Sequence, residues 1–257
     1  AKKENKKSLL NMLDKVEGAF ALVIIIENKL IGIRDPHGIR PLCLGETSDG
    51  LYVLASESCA LDALGANFLR DIEPGEMVII DNNEIESIKY KVNSIKSPCS
   101  FEFIYFARPD SIIDGIDVYS VRHEAGRALY EQNPIEADIV IGVPDSGIPA
   151  AIGYSEISGI PYGAALVKNK YIGRTFISPS QELREKSVKV KLNPIKDLIE
   201  GKRLVVIDDS LVRGTTSKKL IKMLLDSDLF LRLEECRKHN HRNLPAIILQ
   251  PWYIELI

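Results

Sequence analysis

The sequence predicts an α/β protein: a parallel sheet with flanking helices, preceded by a β-rich antiparallel unit. Three observations point there. From Gly18 to Tyr90 apolar runs alternate with turn residues, the mark of strands. After Cys99 helical periodicity alternates with short apolar runs. Two of those runs, Ile139 to Val143 and Leu204 to Ile207, lack polar alternation, as expected of strands covered by helices on both faces.

Each element follows in chain order. Lys2, Lys3, Lys6 and Lys7 read as a solvated helix face; a targeting segment would need Arg and a hydrophobic stretch with a cleavage site. Ala19 to Ile26 and Lys29 to Ile33 flank a turn at Glu27 and Asn28, and strands at Leu51 to Ala55, Glu76 to Ile80 and Ile85 to Tyr90 follow. Lys91 to Pro98 is polar and aperiodic, a connection between domains. Val121 to Gln132 carries Val121, Ala125, Ala128 and Leu129 on one helical face and stops at Asn133-Pro134. A strand at Ile139 to Val143, a helix at Ile148 to Ile157, a strand at Lys202 to Asp208 and a helix at Thr215 to Leu225 complete the pattern. The expected divisions are therefore 1–98, 99–226 and a tail 227–257.

Composition narrows the class. The 257 residues carry 33 Lys plus Arg against 36 Asp plus Glu, a net charge of −3, which does not suit a nucleic-acid coat. The longest apolar run, Ala19 to Ile26, has eight residues, far short of the roughly 20 that span a bilayer. Cys43, Cys59, Cys99 and Cys236 form no CxxC pair, so neither a disulfide framework nor a self-contained zinc site is expected, and a reducing cytoplasm fits. Cys236, His239 and His241 supply at most three ligands and read as a chance grouping.

In an open parallel sheet ligands bind beyond the carboxyl ends of the strands, here just after Val143 and Ile207. After Leu204-Val-Val-Ile207 come Asp208-Asp209-Ser210-Leu-Val-Arg213-Gly214-Thr215-Thr216-Ser217. Helix-initial amides with the hydroxyls of Thr215, Thr216 and Ser217 suit a phosphate, and Gly214 lets the backbone approach it. Two adjacent carboxylates would repel that phosphate unless they face another part of the ligand, such as sugar hydroxyls or hydrated Mg²⁺. An Asp-Asp cap on a Rossmann-like helix is the plainer alternative. The second loop, Val143-Pro-Asp145-Ser146-Gly147-Ile-Pro149, is by itself a common turn and helix cap. From Lys168 to Lys191 there are seven basic and two acidic residues, consistent with a basic lid over a polyanion.

The Leu204 to Ser217 block resembles the phosphoribosyl pyrophosphate (PRPP) motif of type I phosphoribosyltransferases, and the Asp145 loop resembles their pyrophosphate loop. Together with Lys168-Asn-Lys170-Tyr171-Ile-Gly-Arg174-Thr-Phe-Ile and Tyr105-Phe-Ala-Arg-Pro-Asp-Ser111, these blocks are similar to the amidophosphoribosyltransferases, from about Lys15 to Asp226. Gly32 to Leu42 and Ala55 to Leu61 resemble the later part of an N-terminal-nucleophile glutaminase domain; a turn salt bridge is the plainer explanation of Arg34-Asp35.

The resemblance implies a type I phosphoribosyltransferase fold after a partial glutaminase domain. It also implies the first step of de novo purine synthesis, in which PRPP and glutamine, or ammonia, give 5-phosphoribosylamine and pyrophosphate. Asp208 and Asp209 would meet ribose hydroxyls and Mg²⁺, and Ser210, Arg213, Gly214, Thr215, Thr216 and Ser217 the 5′-phosphate. Asp145, Ser146 and Gly147 would take pyrophosphate, with Ser146 also near Mg²⁺. Lys168, Lys170, Tyr171, Arg174 and Lys191 would belong to the lid, Lys168 binding substrate and the other four acting in catalysis. Purine nucleotides would be feedback ligands, and the full-length protein a homo-oligomer. Family glutaminases use a cysteine at the mature amino terminus, which this sequence does not offer; the expectation is a fragment lacking the start of that domain, with its glutaminase half inactive. Cys99 matches one ligand of a [4Fe-4S] cluster that only the full-length protein could complete. A PRPP-binding regulator and an inactive fragment are the competing expectations.

Overall fold

The computed structural model describes residues 2–82, 84–92, 95–169, 192–210, 215–225 and 246–249. The chain forms two compact units that divide between Val118 and Tyr119.

In the first unit a helix, Lys2–Leu13, precedes strands β1 (Ala21–Ile26), β2 (Lys29–Arg34), β3 (Cys43–Thr47) and β4 (Tyr52–Ala55). A short helix, Ser58–Ala63, leads to β5 (Ala66–Asp71), β6 (Glu76–Asp81) and β7 (Glu84–Lys89). Two antiparallel sheets result, ordered β1-β2-β6-β7 and β4-β3-β5. Alternation in β2 and β6 explains the layering. Ile31, Ile33, Met77 and Ile79 pack on Leu9 and Leu13 of the first helix, on which Lys7 is exposed. Their neighbours Leu30, Val78 and Ile80 turn to the other face, against Leu44 of the second sheet and the flanking Leu42 and Ile72. Gly32 makes that approach possible, since a Cβ there would lie 2.8 Å from a Leu54 methyl.

Two expectations are corrected here. Arg34 and Asp35 do not pair. Arg34, 1% exposed, donates to both carboxylate oxygens of Asp114 at 2.8 Å and to the carbonyls of Gly38, Arg40 and Ile72. The Asp35 carboxylate instead accepts the amides of His37, Ile39 and Arg40, closing the turn. The connection also does not end the first unit at residue 98. The Ser97 and Cys99 amides bond to the carbonyls of His37 and Ile39, and Glu57 accepts the Arg108 amide and the Ser111 hydroxyl. A π-helical turn, Glu102–Phe106, and the small ribbon β8 (Ile112–Ile113) and β9 (Ile116–Asp117) thus belong to this unit.

In the second unit the helix Val118–Gln132 leads to β10 (Ile139–Gly142), the helix Ile148–Ser158 and β11 (Leu166–Lys168). Then come β12 (Leu192–Pro194), a helical turn Lys196–Ile199, β13 (Leu204–Ile207), the helix Thr215–Leu225 and β14 (Ala246–Leu249). β10, β13 and β14 lie side by side and parallel. Both faces are covered, as the unbroken apolar runs require. Val140, Val205 and Ile207 pack on Leu129, Ala150, Ala151 and Tyr154, while Ile139, Ile141, Leu204 and Val206 pack on Ile199, Leu220 and Leu224. Gly126 and Gly153 let the first two helices touch backbone to backbone, because a Cβ on either would overlap a carbonyl of the other helix. The tail beyond Asp226, where the resemblance stops, nevertheless supplies the third strand. Strands β11 and β12 pair antiparallel, so Lys168 lies opposite Leu192.

Candidate functional site

The register of β10 on β13 sets Gly142 opposite Ile207, so the loops after both strands leave the sheet at the same end. The Val143 amide bonds to the Ile207 carbonyl at 2.8 Å, continuing the ladder one residue into the loop. Gly147 then caps the helix Ile148–Ser158 and passes so near β13 that a Cβ would lie 2.5 Å from the Ile207 carbonyl oxygen. No other residue type fits without moving the loop.

The side chains on these loops form one polar cluster. The Ser146 hydroxyl donates to Asp209 Oδ2, and the Ser210 hydroxyl donates to Asp209 Oδ1 at 2.6 Å. Asp208 is 8% exposed, and its Oδ1 accepts the Asp209 amide at 2.9 Å. Burial, reinforced by the neighbouring Asp209, pushes the Asp208 carboxyl up to about 6. Asp145 is exposed and forms an ion pair with Lys168 Nζ at the end of β11. Ser217 is buried in the first turn of the helix Thr215–Leu225, and Thr215 and Thr216 are its first two residues.

The structure therefore brings Asp145, Ser146, Gly147, Lys168, Asp208, Asp209 and Ser210 together, with the amino end of a helix following the second loop. Arg213, Gly214, Lys170, Tyr171, Arg174 and Lys191 lie outside the described residues, as does most of the expected lid. Two carboxylates with two serine hydroxyls form an all-oxygen donor set, which suits a hard divalent cation that retains water and substrate ligands. A cation there would offset the burial and the Asp209 repulsion that raise Asp208.

Cys99 lies in the first unit, partly exposed, and among the described residues no group of three or more His, Cys, Asp or Glu could hold a metal. Cys43 is buried in β3, and burial pushes its thiol up to about 12, so it stays protonated and unreactive at neutral pH. Among the described residues no helix is long and apolar enough to cross a membrane.

Comparison with known proteins shows what the chain resembles. A model described as "Glutamine amidotransferase domain" matches residues 2–63. The amidophosphoribosyltransferase of Archaeoglobus fulgidus is 49% identical over 223 residues, 85% of this chain and 49% of the relative. That of Synechococcus elongatus is 54% identical over 214 residues, 82% of this chain and 43% of the relative. Over these stretches the chain is similar to the amidophosphoribosyltransferases. It spans about half the length of the curated relatives it matches. A solved structure described as glutamine PRPP amidotransferase from B. subtilis complexed with ADP and GMP superposes with a TM-score of 0.79 at 50% identity, covering 88% of this chain and 49% of that one. Another, described as the allosteric regulatory enzyme of purine biosynthesis, gives the same score and identity.

Features of this chain that the sequence reading missed are the cross-loop bond from Ser146 to Asp209 and the link from Lys168 to Asp145. A third is a cavity of about 390 Å³ in the first unit, lined by Phe20, Arg40, Ser56, Glu57 and Glu102. Arg40 there pairs with Glu102 and lies over the Phe106 ring at 5.3 Å. Only the adjacency of two loops after parallel strands was open to prediction. The pairings within them depend on backbone geometry.

Proposed function

We propose that the second unit is the PRPP-binding half of an amidophosphoribosyltransferase, of the type I phosphoribosyltransferase fold, and that the chain serves the first step of purine synthesis with Mg²⁺. The observation that carries this reading is the cross-loop cluster: Ser146 on one loop and Asp208, Asp209 and Ser210 on the other, side by side at the carboxyl end of the sheet. The helix beginning at Thr215 adds free amides and a dipole that favour a 5′-phosphate.

The reaction replaces pyrophosphate by ammonia at the anomeric carbon, and the developing positive charge on the sugar needs positioning more than covalent help. Asp208 and Asp209 orient the ribose hydroxyls, their charge lying where the oxocarbenium character grows. The amides of Asp145 and Ser146, with the Lys168 ammonium, receive the departing diphosphate. Bound Mg²⁺ supplies charge neutralisation of that diphosphate and would be held by Asp208, Asp209 and Ser146. Lys170, Tyr171, Arg174 and Lys191 close over the bound substrate and exclude water.

Ammonia derived from glutamine is the nitrogen source proposed by kinship with the curated relatives, and purine nucleotides are proposed feedback ligands by kinship with the B. subtilis protein bound to ADP and GMP. A homo-oligomer and a cytoplasmic setting complete the reading, the latter in keeping with the free thiols of Cys43, Cys59 and Cys99. A [4Fe-4S] cluster using Cys99 is proposed for the full-length protein only. The test is calorimetric titration of PRPP into the purified chain. Micromolar affinity with Mg²⁺, weakened by Asp208→Asn, is the expected result; equal affinity in the variant, or no binding to the wild type, overturns the reading.

A further inference from the structure

The four-stranded sheet of the first unit ends in two unlike edges. At one, β7 exposes Glu84, Glu86 and Lys89, charges of the kind that keep foreign strands away. At the other, β1 reads Ala-Leu-Val-Ile-Ile-Ile, with no charge, proline or bulge, and pairs with β2 at every residue from Ala21 to Ile26. Its phase on β2 fixes which backbone groups are spare. Ile26 and Lys29 close the two-residue turn, and the Phe20 carbonyl accepts the Asp35 amide, so the even-numbered residues bond to β2. The N–H and C=O groups of Ala21, Val23 and Ile25 therefore point away from the sheet, where no strand lies among the described residues. The side chains agree. Leu22, Ile24 and Ile26 pack toward the first helix, whereas Val23 and Ile25, on the opposite face, are 52% and 75% exposed.

We propose that β1 is a self-association edge that pairs antiparallel with β1 of a second copy of this chain, joining two four-stranded sheets across a twofold axis at Val23. The strand is complementary to itself in one register. With Val23 opposite Val23 of the second copy, Ala21 faces Ile25 and every outward group gains a partner. A shift of one residue sets outward groups against groups already bonded to β2, and a shift of two carries Ala21 or Ile25 beyond the partner strand. The same register brings the exposed Glu17 of each copy toward Lys29 of the other, a match of opposite charges. Pairing also removes the Val23 and Ile25 side chains of both copies from water. Because a twofold interface closes on itself and the β7 edges stay charged, assembly stops at two copies. None of these residues is among those assigned to PRPP.

The test is sedimentation velocity of the purified chain from about 1 to about 100 µM, which should show a monomer–dimer equilibrium with a micromolar Kd. Val23→Lys sets two ammonium groups across the axis and should weaken the dimer at least about tenfold. Its circular dichroism spectrum should match wild type, because Val23 is exposed in the monomer. Ile85→Lys, on the β7 edge, should leave the dimer unchanged. Cross-linking reads the register. Directly opposite bonded residues have Cα atoms about 5.5 Å apart, within disulfide reach. Val23→Cys should therefore join two copies under oxidised glutathione, and Ile25→Cys, which faces Ala21, should not. A wild type that stays monomeric at the highest concentration, a Val23→Lys dimer as tight as wild type, assembly beyond two copies, or equal cross-linking of the two cysteine variants overturns the proposal. PRPP binding should be the same in all these variants, so failure here leaves the ligand reading standing.

Discussion

Arg34 in the first unit and Asp208 in the second are both buried charges, 1% and 8% exposed, yet their surroundings are opposite. Arg34 is saturated: its three nitrogens meet two carboxylate oxygens and three carbonyls. Burial alone would favour the neutral form, but Asp114 overcomes it and holds the guanidinium more firmly charged than usual. Asp208 has one backbone donor among the described residues and a second carboxylate beside it, so its charged form is disfavoured. A saturated buried charge organises the fold, whereas an under-satisfied one lacks the counter-charge and donors that would offset its burial.

The comparison breaks first at Arg34. Arg34→Ala leaves Asp114 buried without its main partner and should cost about 3 to 5 kcal/mol. Urea unfolding followed by circular dichroism reads it; a loss below about 1 kcal/mol would make the cluster incidental.

Asp208→Asn should act in the other direction. The ordinary carboxyl value of 3.8 is raised to about 6 on folding. Between those values the folded state binds more protons than the unfolded one, so stability falls as pH rises through this window and stays lower above it. The two-unit shift corresponds to about 2 to 3 kcal/mol. Asp208→Asn should therefore exceed wild type in stability by that order at pH 8 and lose its advantage near pH 4. Thermal melts at the two pH values check this.

Glu76 sharpens the contrast as a saturated acid. Burial would raise its carboxyl, but hydrogen bonds from Arg70, Ser87 and the Glu73 amide outweigh that and hold it below the ordinary range. Its contribution is present above the unfolded value and lost as pH falls through the folded one. Glu76→Gln should cost about 1 to 3 kcal/mol at pH 7, and the difference from wild type should shrink in acid, the reverse of Asp208→Asn. The smallest effect belongs to the exposed pair of Asp138 and Arg203. Asp138→Asn should leave the melting temperature unchanged within error, because water screens that pair.

What the sequence made legible were local patterns. The apolar Leu204 to Ile207 run, its acid pair and the helix from Thr215 stand where expected, because each depends on neighbours within a few residues. The Arg34 partner was not legible. Asp114 lies 80 residues away, and the nearer Asp35 was already committed to turn amides. The unit boundary was missed for a similar reason. Lys91 to Pro98 has the composition of a linker, but its hydrogen bonds to the His37 loop depend on a fold that composition does not record. In the site, residue types were readable and their division of labour was not, since which oxygen a serine faces depends on how two distant loops abut.

The parallel pairing of β10, β13 and β14 also sets an order of events in time. In the first unit β1 and β2 meet across the two-residue turn at Glu27 and Asn28, with Ile26 opposite Lys29. Such a hairpin closes within microseconds of its residues becoming free. In the second unit Ile139 must find Leu204, and Leu204 must find Ala246, so long stretches of chain close before any rung of the ladder forms. On a ribosome delivering residues from the amino end, the first unit's hairpins can exist while β13 is still unmade. The loops at residues 143–147 and 208–210 gain their mutual support only when that late strand docks, making the candidate site one of the last of the described features to mature.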